Sequence, residues 1–243
     1  NLGNGLGTIS VTNGSGAVSG SGTDFSSASS TNTDVNSFVL IEGDSTLYRI
    51  TSVASATSVT VTPVIARATA SGLKYKINMG SDLIGVGDGE GNTITGNSVW
   101  FAHDNGLAFG NNAFSGRSFE RNTISGNSAY FSYTSGFACD GNCSYNTWTG
   151  NVAMNNGQGR SQIPDVFRVG LHFFANADSN VVTGNVFVDD QTSPTQLYGM
   201  AEDPFGSQKD KVYASNLYKG NALAAMKFDG ANCLRDTNPY THA

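Results

Sequence analysis

From residue 92 onward the apolar positions alternate with polar ones in runs of three or four, with no helical periodicity. One phrase carries the pattern: Asn92-Thr-Ile-Thr-Gly-Asn97, Asn122-Thr-Ile-Ser-Gly-Asn127, Asn146-Thr-Trp-Thr-Gly-Asn151, Asn180-Val-Val-Thr-Gly-Asn185 and a decayed Lys211-Val-Tyr-Ala-Ser-Asn216. Successive copies are 30, 24, 34 and 31 residues apart. A repeat of that length signals stacked units, none able to bury its apolar face alone. Each copy is followed by a short run such as Ser98-Val99-Trp100 or Val186-Phe187-Val188, and then by a second run such as Gly106-Leu-Ala-Phe109 or Gly170-Leu-His-Phe173. Period-two alternation bounded by Gly and Asn predicts half-buried strands joined by tight turns. Several strands per unit predict a right-handed parallel β-helix over residues 79–243, with a C-terminal extension. The corner residues Asn97, Asn127, Asn151, Asn185 and Asn216 then stack as a ladder, bonding the backbone of neighbouring coils.

Residues 7–78 differ in character. Runs such as Gly7-Thr-Ile-Ser-Val-Thr12, Ser37-Phe-Val-Leu-Ile41, Thr46-Leu-Tyr-Arg-Ile-Thr51 and Ser58-Val-Thr-Val-Thr62 lie between Gly, Ser and Asp turns. Six strands at hairpin spacing predict a small antiparallel barrel or sandwich. Residues 26–36 read as a Ser/Thr-rich loop. The opening Asn1-Leu-Gly-Asn-Gly5 has neither an initiator methionine nor a signal sequence, so residues 1–6 are expected to be the end of an earlier coil in a processed or partial chain.

Composition fits an all-β protein: 30 glycines and 13% charged residues in 243, with 5 prolines. A net charge of −6 argues against phosphate-led nucleic-acid binding, and no apolar run is long enough to cross a membrane. The cysteines Cys139, Cys143 and Cys233 form no Cys-x-x-Cys pair, so a disulfide or a zinc site is not expected, and Cys139 reads as a buried thiol. No metal or cofactor signature appears.

Candidate chemistry comes from outward-facing columns. With Val99, Ala129, Val152, Val186 and Leu217 taken as inward, Trp100, Tyr130, Ala153, Phe187 and Tyr218 face out as an aromatic stripe. Such a stripe marks a subunit contact or a sugar-stacking platform. On the other run, Leu107, Phe137, Leu171, Met200 and Met226 are read as buried, which turns His172 and Lys227 outward. Two residues on, Asp140, Phe174, Asp203 and Asp229 also face out. Asp203 and Asp229 would then stand roughly 5 Å apart, suited to retaining glycoside hydrolysis. The alternatives are a hard-cation site shared with Glu202, or plain turn capping. Glu202 is read inward, where a carboxylate needs a partner. Polar loops 155–167 and 189–197 leave one side of the stack as walls of a groove, and Arg160 and Arg168 are suited to carboxylates of an acidic glycan. His103-Asp104 is a further polar pair, best read as a turn.

The Asn-x-Ile-x-Gly-Asn repeats resemble those of the pectate-lyase-like β-helices of tailed-phage tailspikes and receptor-binding proteins. The GTISVTNGSGAVSGSGT and GDSTLYRITSVASATSVTVT stretches resemble a small β domain of phage tail proteins. The resemblance implies a virion-tail, extracellular location, a homotrimer, contacts with other tail proteins and a host surface glycan as ligand. It also admits a polysaccharide depolymerase, hydrolase or lyase, or a purely structural trimeric segment. Elimination in pectate lyases uses an Arg beside calcium-binding acids. No such tight cluster stands in this sequence, which weighs against a lyase.

Overall fold

The computed structural model describes residues 2–25, 37–78, 82–110, 118–159, 163–203, 208–228, 233–235 and 240–242. The chain divides into two compact units, residues 1–81 and 82–243.

The first unit is one antiparallel half-barrel sheet. Its strands are β1 (Leu2–Asn4), β2 (Thr8–Val11), β3 (Ala17–Ser21), β4 (Phe38–Ile41), β5 (Leu47–Ser55), β6 (Ser58–Thr62), β7 (Ala70–Leu73) and β8 (Tyr75–Asn78), ordered β1-β8-β4-β5-β6-β3-β2-β7. Alternate residues turn inward, so Ile9, Val11, Val39, Ile41, Val59 and Val61 form one core with Phe25 and Ile65. The sheet has two strands beyond the six expected. Leu2–Asn4 pairs antiparallel with Tyr75–Asn78, so it is an edge of this sheet and not the end of a coil. The run 73–77 is split at Lys74 into the ends of β7 and β8.

The second unit is a parallel β-helix built, among the described residues, on three stacked faces, with Gly89–Glu90 and Phe119–Glu120 pairing in parallel as a short additional ladder. The first face stacks Thr93–Thr95, Thr123–Ser125, Thr147–Thr149, Val181–Thr183, Val212–Ala214 and Leu234–Arg235. The second stacks Ser98–Trp100, Ser128–Tyr130, Val152–Met154, Val186–Val188, Leu217–Lys219 and Tyr240–His242. The third stacks Ile84–Val86, Leu107–Phe109, Phe137–Asp140, Val169–Phe174, Tyr198–Glu202 and Ala224–Lys227. A three-residue strand points one side chain inward, and the first face fills the bore with Ile94, Ile124, Trp148, Val182 and Tyr213.

On the second face the inward column is Val99, Ala129, Ala153, Phe187 and Tyr218. This corrects the expected stripe: Phe187 and Tyr218 are core residues, and the outward column reads Trp100, Tyr130, Met154, Val188 and Lys219. Val152, Val186 and Leu217 align with Ser98 and Ser128, so treating them as inward slipped the lower coils by one residue, which reverses every side chain. Glycines on the third face match the larger rings. A Cβ at Gly170 would stand 2.5 Å from the Phe187 ring, and one at Gly199 2.2 Å from Tyr218.

The coils are tied by amide ladders. Oδ1 of Asn127 accepts from the backbone N and Nδ2 of Asn97, and Asn151, Asn185 and Asn216 repeat the bond downward. A second ladder runs through Asn92, Asn122, Asn146 and Asn180. Asn156, Gln196 and Asn221 form a third at another corner. Before each Asn of the first ladder the backbone is left-handed: Gly96, Gly126, Gly150 and Gly184 have φ of 70, 61, 62 and 66°, and Ser215 has 54° in the decayed copy. Cys139 and Cys143 are joined in a buried disulfide, which replaces the expected buried thiol. Both point into the bore across one tight turn, a pairing that a count of three had argued against.

Candidate functional site

The outward side of the third face is built from small residues where coils meet. Gly85, Ala108 and Ala138 occupy one outward column, and His172 continues it on the next coil. Above this floor lies a cleft of about 600 Å³. Ile163, Pro164 and Phe167, from the loop after the Val152–Met154 strand, line one wall, and Phe174 from the third face lines another part. The loop descends through a short 3-10 turn, Asp165–Phe167, and its Phe167 ring meets His172 edge-on with centroids 4.9 Å apart.

Three carboxylates line this cleft. Asp82 accepts from the backbone N and Nδ2 of Asn105, at 3.1 and 3.0 Å. On the next coil Thr134 Oγ1 lies 2.9 Å from both Asp104 Oδ1 and Asn105 Oδ1. Asp140 ends the Phe137–Asp140 strand opposite Gly110, where φ is 88° and a Cβ would stand 2.6 Å from the Asp140 carbonyl oxygen. Glycine therefore permits the close coil contact there. Burial raises all three carboxyls above the usual carboxylate range. Asp140 is pushed up to about 7, by burial first and then by the charges of Asp82 and Asp104. Asp104 is raised by burial and then by Asp82, and Asp82 by burial against the opposing bonds from Asn105. The three do not converge on one point: among the described residues no three His, Cys, Asp or Glu side chains are placed to hold a metal ion.

His172 and Asp203 lie beside the cleft, both fully buried. Nε2 of the histidine stands 3.7 Å from Asp203 Oδ2, beyond hydrogen-bond reach, and has no hydrogen-bond partner. Burial lowers the imidazole pKa and outweighs the nearby carboxylate, so His172 is neutral at pH 7. Lys227, paired with Ala201 two coils below His172, adds a weaker push the same way.

The other sequence candidates fall elsewhere. Glu202 is buried in the bore and cannot meet a ligand from outside. It pairs with Lys211 Nζ at 3.2 Å and accepts from the Tyr213 hydroxyl, with Gln208 completing the lysine's bonds. Burial lowers the Lys211 pKa against the pull of Glu202. Arg168 is tied to Asp165 at 3.5 Å and to the Thr195 carbonyl at 3.2 Å. Trp100 is half exposed and stacks on Tyr130 at 4.2 Å, beside a Phe101–Phe131 stack at 5.3 Å. Phe187 and Tyr218 are absent from that surface. The 189–197 loop is drawn inward by Asp189, which accepts from the backbone of Thr195 and Gln196 at 2.7 Å each. Asp229 and Arg160 lie outside the described residues.

Asp82, Asp104 and Asp140 were not singled out together from the sequence. One signal was available: Ile84 pairs with Leu107, and carrying that alignment two residues upstream sets Asp82 beside Asn105.

No protein-family model matches the sequence, and no curated protein matches it significantly. Among solved structures the chain is similar to the tailspike protein gp49 of Pseudomonas phage LKA1, at 12% identity over 97% of this chain and 46% of that one, with a TM-score of 0.30. It is also similar to the tailspike gp61 of Pseudomonas phage phi297, at 9% identity over 90% of this chain and 46% of that one, with a TM-score of 0.22. The chain spans about half the length of each.

Proposed function

We propose that this chain is part of a homotrimeric phage tail spike that recognises a host surface polysaccharide in the third-face cleft. The observation that carries this reading is the cleft itself, in which a flat Gly/Ala floor, apolar walls and ordered carboxylates sit on a rigid stack. Apolar walls suit the C–H faces of sugar rings, and carboxylates and Asn105 accept from hydroxyls. No helix among the described residues is long and apolar enough to cross a membrane. Binding of purified capsule or lipopolysaccharide tests the reading. Ala108→Trp, which fills the cleft from its floor, is expected to abolish retention while the circular dichroism stays unchanged. Retention of every glycan by this variant as by the unaltered chain would refute the site.

Asp140 favours a second reading, hydrolysis. A carboxyl at about 7 is half protonated at neutral pH, as a general acid for glycosidic cleavage requires. Asp104 or Asp82, which line the same cleft, would then supply the second carboxyl that glycoside hydrolysis uses. Reducing-end release from the bound polysaccharide, lost in Asp140→Asn with binding retained, is the expected outcome. Binding without any release leaves recognition alone.

A further inference from the structure

The fifth coil breaks the repeat at two inward positions. Glu202 stands in the column that holds Phe109, Cys139 and Phe173 on the coils above. Lys211 stands at the second-ladder corner, beneath Asn180, where the earlier copies carry Asn. Neither change serves the stack. A lysine cannot accept the bond that extends an amide ladder, and replacing a buried ion pair by apolar side chains often costs nothing.

The two side chains meet a third, Gln208, and all of them are buried. Lys211 Nζ lies 3.2 Å from Glu202 Oε1 and 2.8 Å from the carboxamide oxygen of Gln208. Gln208 Nε2 donates to the carbonyls of Phe173 and Ala175 at 3.2 and 3.0 Å, so both ends of the carboxamide are held. The Tyr213 hydroxyl donates to Glu202, and the Phe173 ring lies 5.3 Å from Nζ. An amine, a carboxamide and a carboxylate thus share a space walled by aromatic rings. Burial lowers the Lys211 pKa against the pull of Glu202, which favours the free amine, the form that attacks a carbonyl carbon.

From this arrangement we propose that Lys211 and Gln208 join in an intramolecular isopeptide bond, with Glu202 moving the protons. Lys211 first passes one proton to Glu202, which leaves both groups neutral. Nζ then bonds to Cδ of Gln208 as the Cδ–Nε2 bond breaks. Glu202 hands its proton to the departing nitrogen and takes another from Nζ. The products are a secondary amide, ammonia and a protonated Glu202, and nothing is oxidised or reduced. The exchange removes both charges from the bore, where they are costly, and exclusion of water protects the new bond from hydrolysis. The proposal does not depend on the cleft or on its ligand.

The test is mass spectrometry of the whole purified chain, intact and after trypsin. The intact chain is expected to be lighter by one ammonia than its sequence with the Cys139–Cys143 disulfide formed. Trypsin should then leave the bond after Lys211 uncut. It should yield residues 169–209 and 210–219 as one branched peptide, joined between Gln208 and Lys211. Glu202→Gln, which removes the proton carrier, is expected to keep the full mass and the cut after Lys211. Closure as complete in Glu202→Gln as in the unaltered chain would overturn the role given to Glu202. The unaltered chain decides the bond itself, even if the variant does not fold. Its full mass, with the cut after Lys211, overturns the proposal. A lost ammonia that maps to an asparagine overturns it too, because ring closure of Asn onto its own backbone also releases ammonia.

Discussion

At the scale of the residue, Gly184 and Gly170 separate two reasons for glycine. Gly184 has φ of 66° and open space around a hypothetical Cβ, whose nearest atom is 3.9 Å away. Gly184→Ala therefore meets only backbone strain and is expected to cost about 1 kcal/mol in urea unfolding. A Cβ at Gly170 would meet the Phe187 ring at 2.5 Å and the Gly199 carbonyl at 2.6 Å. Gly170→Ala is expected to cost more, about 2–3 kcal/mol, because backbone cannot yield. Equal costs for the two would contradict the register described for the second face. Asp140 offers a test of opposite kind. Its carboxyl is raised in the fold from 3.8 to about 7, so the folded state binds its proton more tightly than the unfolded chain. Its contribution to stability is present below about pH 4 and is lost as pH rises toward 7, by at most about 1.4 kcal/mol per unit. Asp140→Asn should flatten that slope relative to the unaltered chain, and an unchanged difference across the window would show that the carboxyl is not desolvated.

The strand and corner scale is where the sequence was most legible. Asn and Gly at fixed spacing can be read because a left-handed corner and an amide ladder admit few other residues. Asn151 shows what such a position contributes: its Oδ1 accepts twice from Asn127, and its Nδ2 donates to Ile124 O and Asn185 Oδ1. Asn151→Ala would leave several buried groups unsatisfied and is expected to cost about 3 kcal/mol or more by urea unfolding. The facing of short strands was less legible. Three residues with apolar side chains on both faces, as in Val186-Phe187-Val188, carry no clear alternation, so ring size against Gly170 decides the register in space. Glu202 was readable as inward, but its partners were not. Tyr213 comes from the first face and Lys211 from the corner just before it, where the other copies carry the Asn of the second ladder. Lys211→Met strands the Glu202 charge in the core and is expected to cost about 3–5 kcal/mol. Adding Glu202→Gln should recover much of this, and a failure to recover would mean that the two act independently.

At the scale of the molecule, the cleft escaped sequence reading because its acids arrive from three coils and two corners, while Asp203 and Asp229 were linked by column arithmetic alone. The Trp100 surface shows a different effect of stacking. Trp100 and Tyr130 stack on adjacent coils, with Phe101 and Phe131 beside them, but the column continues as Met154, Val188 and Lys219. The exposed aromatic cluster is thus confined to two coils and is not a stripe along the axis. Half of Trp100 stays in water within one chain, although large aromatic side chains usually bury most of their surface. On the trimer proposal this cluster packs between subunits. Sedimentation equilibrium should then give three copies per particle, and Trp100→Ala should weaken association by about 2 kcal/mol or more, as loss of a central aromatic anchor does. The same variant should also lower the unfolding midpoint of the isolated subunit, because the stack on Tyr130 at 4.2 Å is lost, so the seam is judged by the change in particle mass. A monomer at all concentrations would remove the seam. Tight glycan binding lost in Trp100→Ala, with the particle mass unaltered, would assign the cluster to sugar stacking instead.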